Sequence, residues 1–182
     1  MDGCGLRADL ITQKGETMDT KTIIVTLVTD RTQADVERVR KLAAKGFSAM
    51  TADEQAEWLA GMKGAYNASD LNRVGTALNY LAARLSSICG RSIAWTAKTD
   101  WAVTDIPAAS QAETYRRQIQ DIRDALAYPA GTPDVPQLAR LTYIGANDIE
   151  RILALCEDLI VNVAKSFRHT GAAECAAGGL LT

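Results

Sequence analysis

Residues 70–88 read DLNRVGTALNYLAARLSSI, and the apolar side chains Leu71, Val74, Leu78, Leu81, Leu85 and Ile88 fall at steps of 3, 4, 3, 4 and 3. That alternation keeps them on one stripe of a helix with 3.6 residues per turn. The spacing predicts a long helix with a narrow seam of coiled-coil type, which other seams must cover. Two follow downstream. Residues 108–127 place Ala112, Tyr115, Ile119, Ile122 and Leu126 on one face, with Glu113 one turn before Arg117 as an expected ion pair. Residues 143–165 repeat the pattern with Ile149, Ile152, Cys156, Leu159 and Val163, broadened by Leu153 and Ile160. Three long helices with matching seams imply a bundle.

Upstream the elements are shorter. Thr32 with Asp35 has capping-box-like spacing, Val36, Val39, Leu42 and Ala43 form one apolar face, and Gly46 suits a C-terminal stop. Thr51 with Glu54 is a stronger capping box, leading through Trp58 and Leu59 to Gly61. Before them, Thr22-Ile23-Ile24-Val25-Thr26-Leu27-Val28 is a β-branched run that reads as a short strand. A lone strand needs a partner for its backbone, either a second copy or the segment 93–95. Pro129, Gly131, Pro133 and Pro136 break the chain between the last two helices.

The expected fold class is therefore all-α, a bundle of about five helices, three of them long, with one short N-terminal β segment. The expected organisation is an N-terminal helical region over residues 18–90, a tryptophan-containing connector over 91–107, and a C-terminal helical pair over 108–168. Residues 169–182 are glycine-rich with little to pack, and a disordered tail is expected there. Residues 1–17 lack any periodic pattern and precede a second methionine, Met18. Lys14-Gly15-Glu16-Thr17-Met18 can be encoded by AAA GGA GAA ACN ATG, which contains a ribosome-binding sequence. Either translation starts at Met18 and these residues are a non-native extension, or they form a natural disordered arm.

A short pattern recurs: Asp35-Val36-Glu37-Arg38-Val39, Asp70-Leu71-Asn72-Arg73-Val74 and Asp148-Ile149-Glu150-Arg151-Ile152. Its aspartate suits the first turn of a helix, and the arginine three residues on can reach back to it. The pattern is either a true internal repeat or helix-start grammar reached three times. In the connector, Trp95 and Trp101 stand in an otherwise polar stretch. They either fold over the end of the bundle or contact another subunit. Together with Ile24 and Leu27 they are the candidate interface residues.

Of the 182 residues, 47% are hydrophobic and 23% charged, as in ordinary globular chains, and the formal net charge is -2. A nucleic-acid binder would carry a basic face, so no nucleic-acid partner is expected. No apolar run reaches the length that spans a bilayer, and no signal peptide is read, so no membrane partner is expected. Cys4, Cys89, Cys156 and Cys175 form no C-x-x-C pair and have only His169 to join them, so no metal site is expected and a reducing compartment is. No cofactor motif, nucleophile elbow or metalloprotease helix occurs, and the chain reads as a non-enzyme without catalytic residues. Asp53-Glu54 and Glu157-Asp158 read as solvated helix charges, and Lys98-Thr99-Asp100 as an ordinary loop.

Asp30-Arg31-Thr32-Gln33-Ala34-Asp35-Val36, Glu57-Trp58-Leu59-Ala60-Gly61-Met62-Lys63-Gly64-Ala65-Tyr66-Asn67 and Asp70-Leu71-Asn72-Arg73-Val74 resemble a family of helical proteins encoded in the tail-module region of phages and prophages of gut Firmicutes. The resemblance extends through Lys98-Thr99-Asp100-Trp101 to Leu141-Thr142-Tyr143 and Asn147-Asp148-Ile149-Glu150. It implies a non-enzymatic structural component of a phage tail or baseplate, acting by assembly with other phage tail proteins and as a homo-oligomer. Its implied location is the virion, or the host bacterial cytoplasm during assembly. An adaptor or chaperone of tail assembly, absent from the particle, is the alternative. A small cell-wall-active hydrolase is disfavoured because no nucleophile, base and metal set is present.

Overall fold

The computed structural model describes residues 20–177, with side chains from 23 to 167. Within that span the chain is all-α. Six helices follow in order: α1 (Thr20–Val25), α2 (Gln33–Lys45), α3 (Ala52–Leu59), α4 (Ala68–Cys89), α5 (Ala109–Asp124) and α6 (Tyr143–Ala177). Single 3-10 turns occur at Phe47–Ala49 and Leu138–Arg140. The proposed extension at residues 1–17 and the side chains from His169 onward lie outside the described residues.

The central helix is α4, and its seam is the core. Val74, Ala77, Leu78, Leu81 and Leu85 are buried against Tyr115, Ile119 and Ile122 of α5 and Ile149, Ile152, Leu153, Cys156 and Ile160 of α6. Each fully buried leucine or isoleucine contributes about 1.5–3 kcal/mol by leaving water. Burial also pushes the Cys156 thiol up to about 11, and the side chain acts as a small hydrophobe. Gly90, in the left-handed region at φ 64°, stops α4 as its C-cap.

The expected strand at residues 22–28 is not formed: its first part is helix α1. A strand would put Ile23, Val25 and Leu27 on one face. Instead Ile23, Ile24 and Leu27 pack against the main core while Val25 is 72% exposed, which is helical spacing. Tertiary burial of that face overrides the β-branched preference.

A second, smaller cluster joins α2 and α3. Leu42, Met50 and Met62 are buried there, with Val39 and Trp58 half-buried against them. Both expected capping boxes are present: Thr32 with Asp35 on α2, and Thr51 with Glu54 on α3. Glu54 is more than a solvated charge. Its carboxylate accepts from Lys45 Nζ at 2.5 Å and from the Thr51 N–H at 2.9 Å, and these hold it down at about 2. Arg38 does not reach back to Asp35 but bonds Glu57 across the lobe at 2.7 Å. On α5 the partner of Glu113 is Arg116 at 2.8 Å, not Arg117. Glu157 is half-buried, with Arg84 Nε at 3.0 Å and the Tyr80 hydroxyl donating at 3.3 Å.

Candidate functional site

Where α1 runs into α2, the chain is tied to the middle of the molecule by a buried ionic knot. Glu150 of α6 is fully buried and accepts four hydrogen bonds: from the Val28 N–H at 2.6 Å, Arg31 Nη2 at 2.6 Å, and Arg73 Nε and Nη2 at 3.0 and 2.8 Å. Asp70 Oδ1 accepts from Arg31 Nη2 at 2.8 Å and from Arg73. Two carboxylates thus face two guanidiniums, and the knot is neutral. Burial pulls the Arg73 guanidinium down, but its bonds to Glu150 and then Asp70 outweigh this and hold it above arginine's ordinary value. Each guanidinium bonds both carboxylates, which ties the four groups into one network.

The three recurring Asp-x-x-Arg stretches play different parts. Asp70 and Arg73 join the knot, Asp148 and Arg151 approach at 4.0 Å near the surface, and Asp35 caps its own helix. The third residue diverges as well: Glu37 bonds Gln33, Asn72 holds the connector, and Glu150 is the centre of the knot. Only the first two stand at helix starts, since Asp148 lies beyond the first turn of α6, and the three have no common role.

Three asparagines do the work of a missing sheet. An asparagine amide carries both an acceptor and donors, so it can close a two-bond pair with the main chain of an extended residue. Asn147 does so with Arg31, at 2.9 Å in both directions. Asn72 pairs with Trp101 at 2.7 and 2.9 Å, and Asn79, two turns along α4, pairs with Ala97 at 2.7 and 3.0 Å. Between them, Gly75 admits the connector so closely that a Cβ there would lie 2.3 Å from the Lys98 carbonyl oxygen. The connector is thereby laid along α4.

Both connector tryptophans are engaged within the chain. Trp95 packs half-buried against the main core and its Nε1 donates to Asp121 Oδ2 at 2.8 Å. Trp101 is only 8% exposed, with Lys98 Nζ 4.9 Å from its ring centre. Lys98 itself bonds Asp100 Oδ1 at 2.6 Å. Ile24 and Leu27 pack on the main core. Sequence reading brought forward these four residues but not the feature next to Trp101.

That feature is a cleft of about 870 Å³ between the α3–α4 turn, the end of the connector, the start of α5 and the 3-10 turn before α6. Trp58, Leu59, Met62, Leu71, Trp101, Val103, Leu138 and Leu141 give it apolar walls. At its lining the Tyr66 and Tyr115 hydroxyls bond each other at 2.7 Å. Burial raises both phenols well above their ordinary value, so they stay protonated. Tyr66 also links cleft to knot, because the Arg31 guanidinium lies 5.7 Å over its ring. Leu59, 74% exposed, and Val103, 95% exposed, stand at the rim. The charged lining groups are Asp105, Glu113 and Arg116, and no cluster that could hold a metal ion occurs among the described residues. The arrangement can bind an apolar segment; it holds no nucleophile beside a base. Among the described residues no helix is long and apolar enough to cross a membrane. Comparison with protein-family models, with curated proteins and with solved structures finds no match to this chain.

Proposed function

We propose that the chain is a non-enzymatic structural component of a phage or prophage tail or baseplate that works by protein–protein assembly. The observation that carries this reading is the apolar cleft with exposed Leu59 and Val103 at its rim. Contiguous exposed apolar surface of this kind marks an interaction site. The stretches that resemble the tail-module family build its walls: Trp58, Leu59, Met62 and Tyr66 come from one, Trp101 from another and Leu141 from a third. The buried knot behind it supports a preformed surface, since Arg31, Asp70, Arg73 and Glu150 are bonded to one another and the Arg31 guanidinium lies over the Tyr66 ring.

The test is quantitative mass spectrometry of particles purified after prophage induction. The reading expects this chain in the particles at a fixed ratio to other tail proteins. Its presence in the lysate and absence from particles would instead favour the assembly adaptor.

A further inference from the structure

Helices α2 and α3 form a body of their own. Their cluster of Leu42, Met50 and Met62 is separate from the main core. Side-chain ties brace it from within: Arg38 to Glu57 at 2.7 Å, Lys45 to Glu54 at 2.5 Å, and Gln55 Nε2 to the Phe47 carbonyl at 3.0 Å. Toward the bundle such ties are missing. Among the described residues, no hydrogen bond or ion pair joins residues 33–62 to residues 68–167, and neither α2 nor α3 lies along a helix of the main bundle. A body braced inside and untied outside moves as a unit.

The attachment of this lobe lies at one place. The chain enters it through residues 30–32 and returns through residues 62–67, and the two crossings touch. Lys63 Nζ bonds Asp30 Oδ2 at 2.8 Å, and Gly64 lies so near the first turn of α2 that a Cβ there would stand 2.2 Å from the Asp35 carbonyl oxygen. Both crossings are fixed on the bundle side, the first by Asn147 and Glu150 on Arg31, the second by the Tyr115 hydroxyl on Tyr66. Two adjacent strands on a fixed base make a single pivot. At Gly64 main chain meets main chain, with no side chain between them to interlock.

The lobe also supplies one wall of the cleft. Trp58, Leu59 and Met62 line it from the lobe, and Val103, Leu138 and Leu141 line it from the bundle. Leu59 is 74% and Val103 95% exposed, so neither covers the other. We propose that the α2–α3 lobe is a hinged lid, which turns about residues 30–32 and 63–64 to bring its apolar wall onto the bundle's wall and close the cleft. Closure takes apolar surface out of water and breaks no hydrogen bond or ion pair between lobe and bundle. The lid is independent of what occupies the cleft. Particle composition tests the tail reading, whereas the lid is tested on the purified chain alone.

The experiment is nuclear magnetic resonance of the full chain. Residual dipolar couplings of the backbone N–H groups are measured in a dilute aligning medium, together with nuclear Overhauser contacts from the Leu59 methyls. The couplings of α2 and α3 are expected to share one alignment tensor that does not fit α4, α5 and α6, and the Leu59 methyls are expected to show contacts to Val103, Leu138 or Leu141. Gly64→Ala, which wedges a methyl group between the two crossings, should change the lobe's tensor and leave that of the bundle as it was. The unchanged protein decides the outcome even where this variant fails to fold. One tensor for all five helices in the arrangement described here overturns the lid. Two tensors without any Leu59 contact across the cleft also overturn it, since the lobe then moves but does not close.

Discussion

Glu150 carries its carboxylate to a position with no access to solvent, and the fold tolerates this because four donors converge on its two oxygens. A buried pair broken on one side leaves an uncompensated charge, at a cost of about 3–5 kcal/mol. Glu150→Gln keeps the shape but leaves two guanidiniums facing the single carboxylate of Asp70, and its amide N–H₂ meets groups that also donate. Urea unfolding of this variant should show a loss in that range; a change under about 1 kcal/mol would mean the knot organises little. The position was legible after the fact. Ala146, Ile149, Glu150 and Leu153 share one helical face, so a glutamate among them must find partners inside. What the sequence could not supply was the partner, since Arg31 lies 119 residues away. By contrast the Asp70–Arg73 pair could be read from spacing alone, whereas Arg38 found a better acceptor on the next helix.

At the level of elements, the seams were the readable part, because periodicity depends only on local spacing. Leu71 to Ile88 and Ile149 to Val163 fall within α4 and α6, and the two capping boxes mark the starts of α2 and α3. The run at residues 22–28 misled because β-branched composition is a weak preference, easily reversed when Ile23, Ile24 and Leu27 find one core to cover. Equally hidden was the register of the connector on α4, which rests on asparagines and a glycine rather than on apolar residues. Gly75→Ala tests that register. On an isolated helix alanine would stabilise by about 0.8–1 kcal/mol, but here the added Cβ meets the Lys98 carbonyl oxygen. A net destabilisation is therefore expected, together with a changed fluorescence of Trp101 as the connector lifts. A more stable protein with unchanged fluorescence would contradict the close approach.

Across the whole molecule, stability is uneven. The main core joins α4, α5 and α6 with α1 against it, whereas α2 and α3 share a cluster of only three buried side chains. Local opening follows the depth of packing. Native-state hydrogen exchange should show α2 and α3 exchanging through an opening well below the global unfolding free energy, with α4 and the first half of α6 exchanging last. Acid should widen the gap. Glu54 is held down at about 2 in the fold against an ordinary value of 4.5, so its contribution is complete above that ordinary value and is lost as pH falls toward about 2. Uniform protection across all six helices, unchanged between neutral pH and pH 3, would contradict a separable lobe.

The asparagine grip on the connector has a consequence for how this protein can vary. Asn72 and Asn79 hold main-chain atoms of Trp101 and Ala97, and a hand that closes on the backbone does not read the letters carried by it. Positions such as Ala94 and Thr96, whose side chains face water, are free to drift, while the helix beneath them is not. Across related chains the variable strip and its invariant rail would therefore lie in contact along α4, and a map of tolerance drawn by depth from the surface would miss the boundary between them.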